Sequence, residues 1–495
     1  MGARSAEAAG NSWIRRSLVL NAVAGLTLLG NVVLQVVMAQ TYGAGPEVAL
    51  FFLILALPNF LMVIANEVVS ATVARLLNRG QLYLPSINEY LRLYLRFIGG
   101  ATVAVVLLAF GSEWLIPNSW TDADLSRTLA VTLFAATWLG FQANLLLQYQ
   151  YLAGVFAVPS VAHIFPALGM IVLTIAAGVE LGIVAAAYGN VLGASLQVLF
   201  LAVLCKRTSI RRAPGAAADA LLPRTQGLAM SALLGAMCFA PFPLIPVIER
   251  WVGSAILTPT SYLAALGYSW SLASGVWSLM VRGLTVATSF HFSNISLSQT
   301  RDLQKSVSRI FAYISVALTP SLILLINIRE DLVELLLVRG AFSREDGGQA
   351  AQILMYHLVA LWGLAVFVIG LRVLYAMDRS INAAVFGGAF VIAHFGLCAM
   401  FGGVGNGGVA LGTAVTTWLF AGLMIFQFQI STLFLRRGLP VFLTWTALSS
   451  GVALVTLVLC NYGLQGTAIL AGMTVKAVAI AVMSYLLWRI REITE

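Results

Sequence analysis

Long apolar blocks alternate with short polar turns along the whole chain. The blocks run to about 20 residues, enough to cross a hydrocarbon core about 30 Å thick at about 1.5 Å per helical residue. No stretch shows the short alternating segments of a membrane β-barrel. The pattern predicts an all-α polytopic membrane protein of about 14 transmembrane helices. They fall near 17–41, 47–74, 92–115, 127–150, 157–178, 182–204, 225–249, 257–288, 307–328, 350–376, 382–402, 407–430, 440–461 and 465–489.

Loop charge orients these spans. Arg4, Arg15 and Arg16 precede the first; Arg75, Arg79, Arg92 and Arg96 follow the second. Lys206, Arg207, Arg211, Arg212 and Arg224 fill the loop over 205–224, and Arg436 and Arg437 the turn over 431–439. With an even span count these fall on one side, and Glu113, Asp122, Asp124, Glu330, Asp331, Glu334, Glu345 and Asp346 on the other. The positive-inside rule then places both termini in the cytoplasm. The basic arm before the first apolar run is that of a signal peptide, but the run is too long for one and reads as an uncleaved helix.

Composition agrees. Of 495 residues, 60% are hydrophobic and 9% charged, against about 25% charged in soluble domains. The net charge of +9 reflects basic loops, with no nucleic-acid partner. Cys205, Cys238, Cys398 and Cys460 lie in or beside apolar spans without metal-ligand spacing, and read as small core residues.

A weak internal repeat divides the chain. Residues 49–74 lie on 264–289 without a gap, and 182–193 on 407–418. The expected plan is a six-helix lobe over 1–205, a basic linker over 206–224, a second six-helix lobe over 225–430, and two further helices over 431–495. Repeated lobes around a midplane site are a common transporter plan.

Ionisable groups inside the membrane are costly, so each is a candidate for function. Glu67 in the second span falls on Arg282 in the eighth when the repeats are superposed. The pair is a candidate gate or substrate contact; a static buried pair, or an Arg282 reaching the interface, is the bland alternative. Glu249 and Arg250 end the seventh span on the outer side. Neighbours in sequence do not share a helix face, so one is expected at the cavity mouth and the other in water. Lys476 lies in the last span, as a phosphate lure or simply paired with a carbonyl or headgroup. His163 and His394 occupy the fifth and eleventh spans, as proton carriers or as packing groups. Asn31 and Gln35 share one face of the first span, fit for a watery cavity. Tyr42, Trp138, Trp270 and Trp277 offer rings for sugars, although Trp and Tyr also favour interfaces. Gly403, Gly405 and Gly408 lack the strand that a dinucleotide fingerprint needs. No Walker lysine motif, catalytic group or metal site stands out.

Several stretches together resemble the MurJ (MviN) family of lipid-linked glycan flippases. They are "TYGAGPEVALFFLILALPNFL" (41–61), "LLLVRGAFSRED" (335–346), "LRVLYAMDRSINAAV" (371–385) and "GNGGVALGTAVTTWLFAGLM" (405–424). The resemblance implies the fold of the multidrug/oligosaccharidyl-lipid/polysaccharide exporter superfamily. It implies alternating-access transfer of an undecaprenyl-pyrophosphate-linked glycan between leaflets of the bacterial inner membrane, with the last two helices as a groove for the lipid tail. Arg372 matches a family arginine and is a candidate pyrophosphate contact or an interfacial anchor. The family's cavity arginines are replaced: Leu34 and Gln40 stand at two first-helix positions, Met62 and Val63 at second-helix positions, and Tyr268 near the eighth-helix position. An altered headgroup is therefore expected, of an exopolysaccharide or another envelope glycan. The rival substrate is lipid II. Rival classes are a cation-coupled multidrug exporter of the same fold and a non-transporting scaffold. Expected partners are membrane lipids and the glycosyltransferases or polymerase of the same pathway. No cofactor is expected; the driving force would be the membrane potential, H+ or Na+.

Overall fold

The computed structural model describes residues 25–78, 123–152, 157–207, 233–256, 260–281, 321–377, 379–405 and 407–428, with a few single positions besides, such as Val307 and Ile314; over 65–78 it describes the backbone alone. Among the described residues there is no strand, and eight helices are long and apolar enough to cross a membrane. A ninth span is a bent pair. The spans expected over 92–115, 440–461 and 465–489 lie outside the described residues.

Helix α1 runs over Gly25–Tyr42 and α2 over Pro46–Asn78. Between them Gly43 takes φ +66°, a backbone that glycine adopts without Cβ strain. Helix α3 covers Ala123–Leu152. The fifth span is not one helix as expected: it begins as Ala157–Ser160 and a 3-10 turn over Val161–Ile164, then continues as α4 over Phe165–Leu181. Helix α5 covers Val184–Arg207. The four helices α2 to α5 pack out of chain order, α2 on α3, α3 on α5 and α5 on α4.

The α4–α5 contact is backbone against backbone. A Cβ added at Gly169 would meet the Gly189 carbonyl, one at Gly189 would meet Met170 Cα at 2.6 Å, and one at Gly193 would meet Pro166 Cα at 2.6 Å. Small residues permit such close approach in membranes. Gly189→Leu should therefore destabilise the protein by about 1–3 kcal/mol through overpacking. Gly422→Leu should not, because nothing lies within 4 Å of a Cβ there. Melting temperatures of the two variants in detergent check this.

The seventh span is broken. A short α6 (Leu233–Phe239) and α7 (Pro241–Ile256) meet at Ala240 with a bend of 63°. Pro241 and Pro243 remove backbone donors, and proline disfavours a helical residue before it. Helix α8 spans Thr260–Met280, and a short α9 covers Arg329–Leu336. Helix α10 is 33 residues long, Arg344–Ala376, or about 50 Å. It starts at a capping box, in which the Ser343 Oγ accepts from the Asp346 N–H at 3.1 Å and Asp346 accepts from the Ser343 N–H at 3.2 Å. Helices α11 (Ser380–Phe401) and α12 (Gly408–Gln427) complete the described set. Helix α10 packs against α8, α11 and α12 and is almost wholly buried. Phe367 of α10 stacks on Phe390 of α11 at 4.8 Å and meets Phe420 of α12 at 5.3 Å. Val179, Ile392 and Phe426 point outward with most of their surface free, as suits lipid.

Helix α2 joins the two sets of helices by packing against both α7 and α8. The turn between α1 and α2 and the segment before α10 lie at one end of the bundle, called here the turn end.

Candidate functional site

The α6–α7 break opens onto a cavity of about 440 Å³ lined by residues of α1 to α8 and of α10. Two lining residues are arginines, Arg250 and Arg372; among the described residues no carboxylate lines it. The Arg250 Nη1 donates to the Phe52 carbonyl of α2 at 2.5 Å, and its guanidinium lies 5.3 Å from the Phe52 ring centroid. This clasp joins α7 to α2 across the cavity wall. Arg250 is buried, and its Nε has no hydrogen-bond partner among the described residues. The Arg372 guanidinium stands 5.3 Å from the Phe239 ring beside the break. Both arginines are placed to meet an anion in a medium that screens charge poorly.

The remaining lining is amide and aromatic. Asn31 and Gln35 come from α1, Asn59 from α2, Asn144 from α3, and Asn190 and Gln197 from α5. Gln35 is buried, and its Oε1 is without a partner among the described residues. Phe242 stacks on Trp277 at 4.7 Å and lies 5.9 Å from Trp270. These groups can bind hydroxyls and the flat faces of sugar rings.

A second polar cluster lies behind the cavity, between α7, α10, α11 and α12. Glu249 is 1% exposed, and both its carboxylate oxygens are 3.1 Å from His357 Nε2. The Thr413 hydroxyl donates to Glu249 Oε1. His394 Nε2 is 2.9 Å from that hydroxyl oxygen. Glu249 and Arg250 thus point to different helices, as adjacent residues must, yet neither reaches water. The expectation that one did fails because α7 continues to Ile256, which leaves the pair inside the helix. Buried charges persist where they are held by hydrogen bonds: Glu249 by His357 and Thr413, and Arg250 by the Phe52 carbonyl.

The turn end is sealed. The Ala341 N–H donates to the Gln40 carbonyl at 3.1 Å, and the Tyr268 hydroxyl donates to the Gly43 carbonyl at 2.9 Å. Tyr268 is fully buried, edge-on to Phe52 at 5.1 Å and to Phe342 at 5.2 Å.

Of the residues singled out in the sequence, Asn31, Gln35, His163, Arg250, Trp270, Trp277 and Arg372 line the cavity. Gln40 and Tyr268 do not. They stand in the seal, because α1 ends beside the segment that precedes α10. Tyr42 instead donates to the Gly182 carbonyl at 2.9 Å, and Trp138 turns to the outer surface of α3. His394 belongs to the Glu249 cluster rather than to the cavity. The side chain of Glu67, and Arg282 and Lys476 altogether, lie outside the described residues, so the proposed Glu67–Arg282 gate does too. Sequence reasoning missed His357 and Thr413. Its usable signal was a lone imidazole inside "LMYHLVALWG" (354–363), since any ionisable group at that depth is a candidate.

The family model for lipid II flippase MurJ matches residues 38–492. The chain belongs to the MurJ family. A solved lipid II flippase MurJ in an inward closed conformation is similar at TM-score 0.73 and 16% identity, over 95% of this chain and 99% of that one. An inward-facing multidrug resistance MATE family transporter of the MOP superfamily is similar at TM-score 0.61 and 13% identity, over 84% of this chain and 97% of that one. A MOP superfamily transporter from Pyrococcus furiosus is similar at TM-score 0.60 and 16% identity, over 85% and 96%. No curated protein matches the chain. The protein is thus a multi-pass membrane transporter of the flippase type, not an enzyme.

The positions at which the resemblance implied arginines fall in two places. Leu34, Met62 and Val63 line the cavity, whereas Gln40 and Tyr268 belong to the seal. In this MurJ-family chain the described cavity cations come instead from α7 and α10.

Proposed function

We propose that this protein moves an undecaprenyl-pyrophosphate-linked glycan from the inner to the outer leaflet of the bacterial cytoplasmic membrane by alternating access, with the turn end outside. The observation that carries this reading is the cavity, in which Arg250 and Arg372 share one wall system with amides and the Phe242–Trp277 stack. Arginines suit a pyrophosphate, and the amides and rings suit sugar. A cation exporter would need a cavity acid, and none lines it among the described residues. Lipid II is the second reading, favoured by the family model. The uncharged Leu34, Met62 and Val63 favour a glycan that asks less of cationic side chains.

Depletion of the protein tests both. One undecaprenyl-linked precursor should accumulate in the inner leaflet, identified by mass spectrometry of extracted lipids. Accumulation of lipid II alone would assign the second reading, and accumulation of no lipid-linked precursor would overturn the flippase reading for this chain.

A further inference from the structure

We propose that the cavity is divided by chemistry: α6 to α8 and α10 hold the pyrophosphate, while a carboxamide wall on α1 to α5 selects an uncharged sugar and rejects an acidic one. The proposal rests on the pyrophosphate-linked glycan reading above and adds the class of glycan.

The division follows the helices. All six carboxamides of the described lining, Asn31, Gln35, Asn59, Asn144, Asn190 and Gln197, come from α1, α2, α3 and α5. Up to the end of α5 the described lining holds no arginine, lysine or carboxylate, and His163 is its one titratable group. The later helices supply the reverse: Arg250, Arg372, Trp270 and Trp277, and no carboxamide among the described residues.

Two buried atoms point to the same split. Gln35 Oε1 on one side and Arg250 Nε on the other have no hydrogen-bond partner among the described residues. A buried polar atom left unpaired is costly, so each specifies what a ligand must bring. Gln35 Oε1 is an acceptor and asks for a hydroxyl or an amide N–H. Arg250 Nε is a charged donor and asks for an anionic oxygen. A pyrophosphate that carries a hexose or an acetamido sugar brings both.

The carboxamide wall also penalises charge. Gln35, Asn144 and Gln197 are each more than nine-tenths buried, so little water is there to screen an ion. Amide N–H groups can hydrogen-bond a carboxylate but carry no net charge to balance it. A buried, uncompensated carboxylate is disfavoured far more than a buried hydroxyl. A hydroxyl or acetamido group instead finds a donor and an acceptor on every carboxamide. The flat face of the sugar has its own partner in the Phe242–Trp277 stack of α7 and α8. Selection therefore works by rejecting acidic glycans as well as by attracting neutral ones.

Four short-chain polyprenyl probes test this on the full chain in nanodiscs. They are the bare pyrophosphate and the pyrophosphate carrying a hexose, an N-acetylhexosamine or a hexuronic acid. Microscale thermophoresis reads each Kd at about pH 8, where a carboxyl is ionised and an ordinary imidazole is neutral. We expect both uncharged sugars to bind more tightly than the bare pyrophosphate. The hexuronic acid should bind about 10-fold or more weakly than the hexose. Gln35→Leu should weaken the two uncharged-sugar probes about 3- to 10-fold, the worth of a neutral hydrogen bond, and leave the bare pyrophosphate unchanged. Arg250→Gln should weaken all four alike. Asn190 is only partly buried, which leaves room for a longer side chain, and Asn190→Arg should close the gap between hexuronic acid and hexose. Should that variant fail to fold, as judged by its melting curve, Asn31→Arg, at an exposed position of α1, takes its place. A hexuronic acid probe that binds as tightly as the hexose would overturn the inference and leave the pyrophosphate reading in place. An unchanged gap in the folded arginine variant would overturn the placement of the sugar on the first five helices. No binding of any probe, the bare pyrophosphate included, would overturn the pyrophosphate reading and the inference with it.

Discussion

Replacing Arg250 by alanine should lower transport about 10- to 100-fold while the protein still reaches the membrane. A hydrogen bond to a charged group contributes about 1.5–3 kcal/mol, and each 1.4 kcal/mol is about a factor of ten. Arg250 supplies such a bond to the Phe52 carbonyl, a cation over the Phe52 ring, and one of two described cavity cations. Two further substitutions separate these roles. Arg250→Gln keeps a donor for the carbonyl but not the charge, so a loss as deep as that of alanine assigns the effect to charge. Arg250→Lys keeps the charge but not the planar fork that can both stack and donate, so partial activity is expected. Complementation of a depleted strain, normalised to protein level, reads all three. Full activity of the alanine variant would remove Arg250 from the transport cycle.

What could be read from sequence here was what depends on the local surroundings of each residue. Apolar blocks of about 20 residues are helices whatever surrounds them, and the described spans lie close to the expected limits. The face shared by Asn31 and Gln35 follows from helical spacing alone, and both residues line the cavity. Most of the failures involve distant partners. Glu249 and Arg250 read as a helix end because charge usually marks one. They are interior because His357 lies 108 residues beyond Glu249 and Phe52 lies 198 residues before Arg250, and each supplies the missing partner. The break at Ala240 was written in "APFPLIP" (240–246), but the run is apolar throughout, so hydropathy passed over it. Gln40 and Tyr268 are polar residues in apolar spans, which fits a cavity or a seal equally well. Only the position of the segment before α10 decides between them.

Gly340→Val should unseal the turn end and hold the transporter away from the state described here. The seal interlocks two glycines. Gly43 has φ +66° and Gly340 has φ +59°; a Cβ on Gly43 would strike the Ala341 carbonyl, and one on Gly340 the Gln40 carbonyl. Each glycine therefore leaves room for the backbone of the other segment, and the Ala341–Gln40 hydrogen bond closes in the space between. A side chain at Gly340 meets two penalties. The left-handed backbone costs a non-glycine residue about 1–2 kcal/mol, and a β-branched residue tolerates it least. The collision is with backbone, which cannot rotate away as a flexible side chain would. The sealed state bears both penalties, and a state in which the segments have parted is relieved of the collision at least. Overpacking costs about 1–3 kcal/mol, so at about 1.4 kcal/mol per factor of ten relief of the collision should move the equilibrium about 10-fold toward the open turn end. A cysteine placed at Gln35, which faces the cavity, reports this through its reaction with a membrane-impermeant maleimide added outside intact cells. Labelling should rise in Gly340→Val and transport should fall. Gly348→Val is the control: it lies in the first turns of α10, and nothing stands within 4 Å of a Cβ there. Equal labelling of the two variants, with both folded by their melting curves, would show that the glycine interlock does not hold the seal.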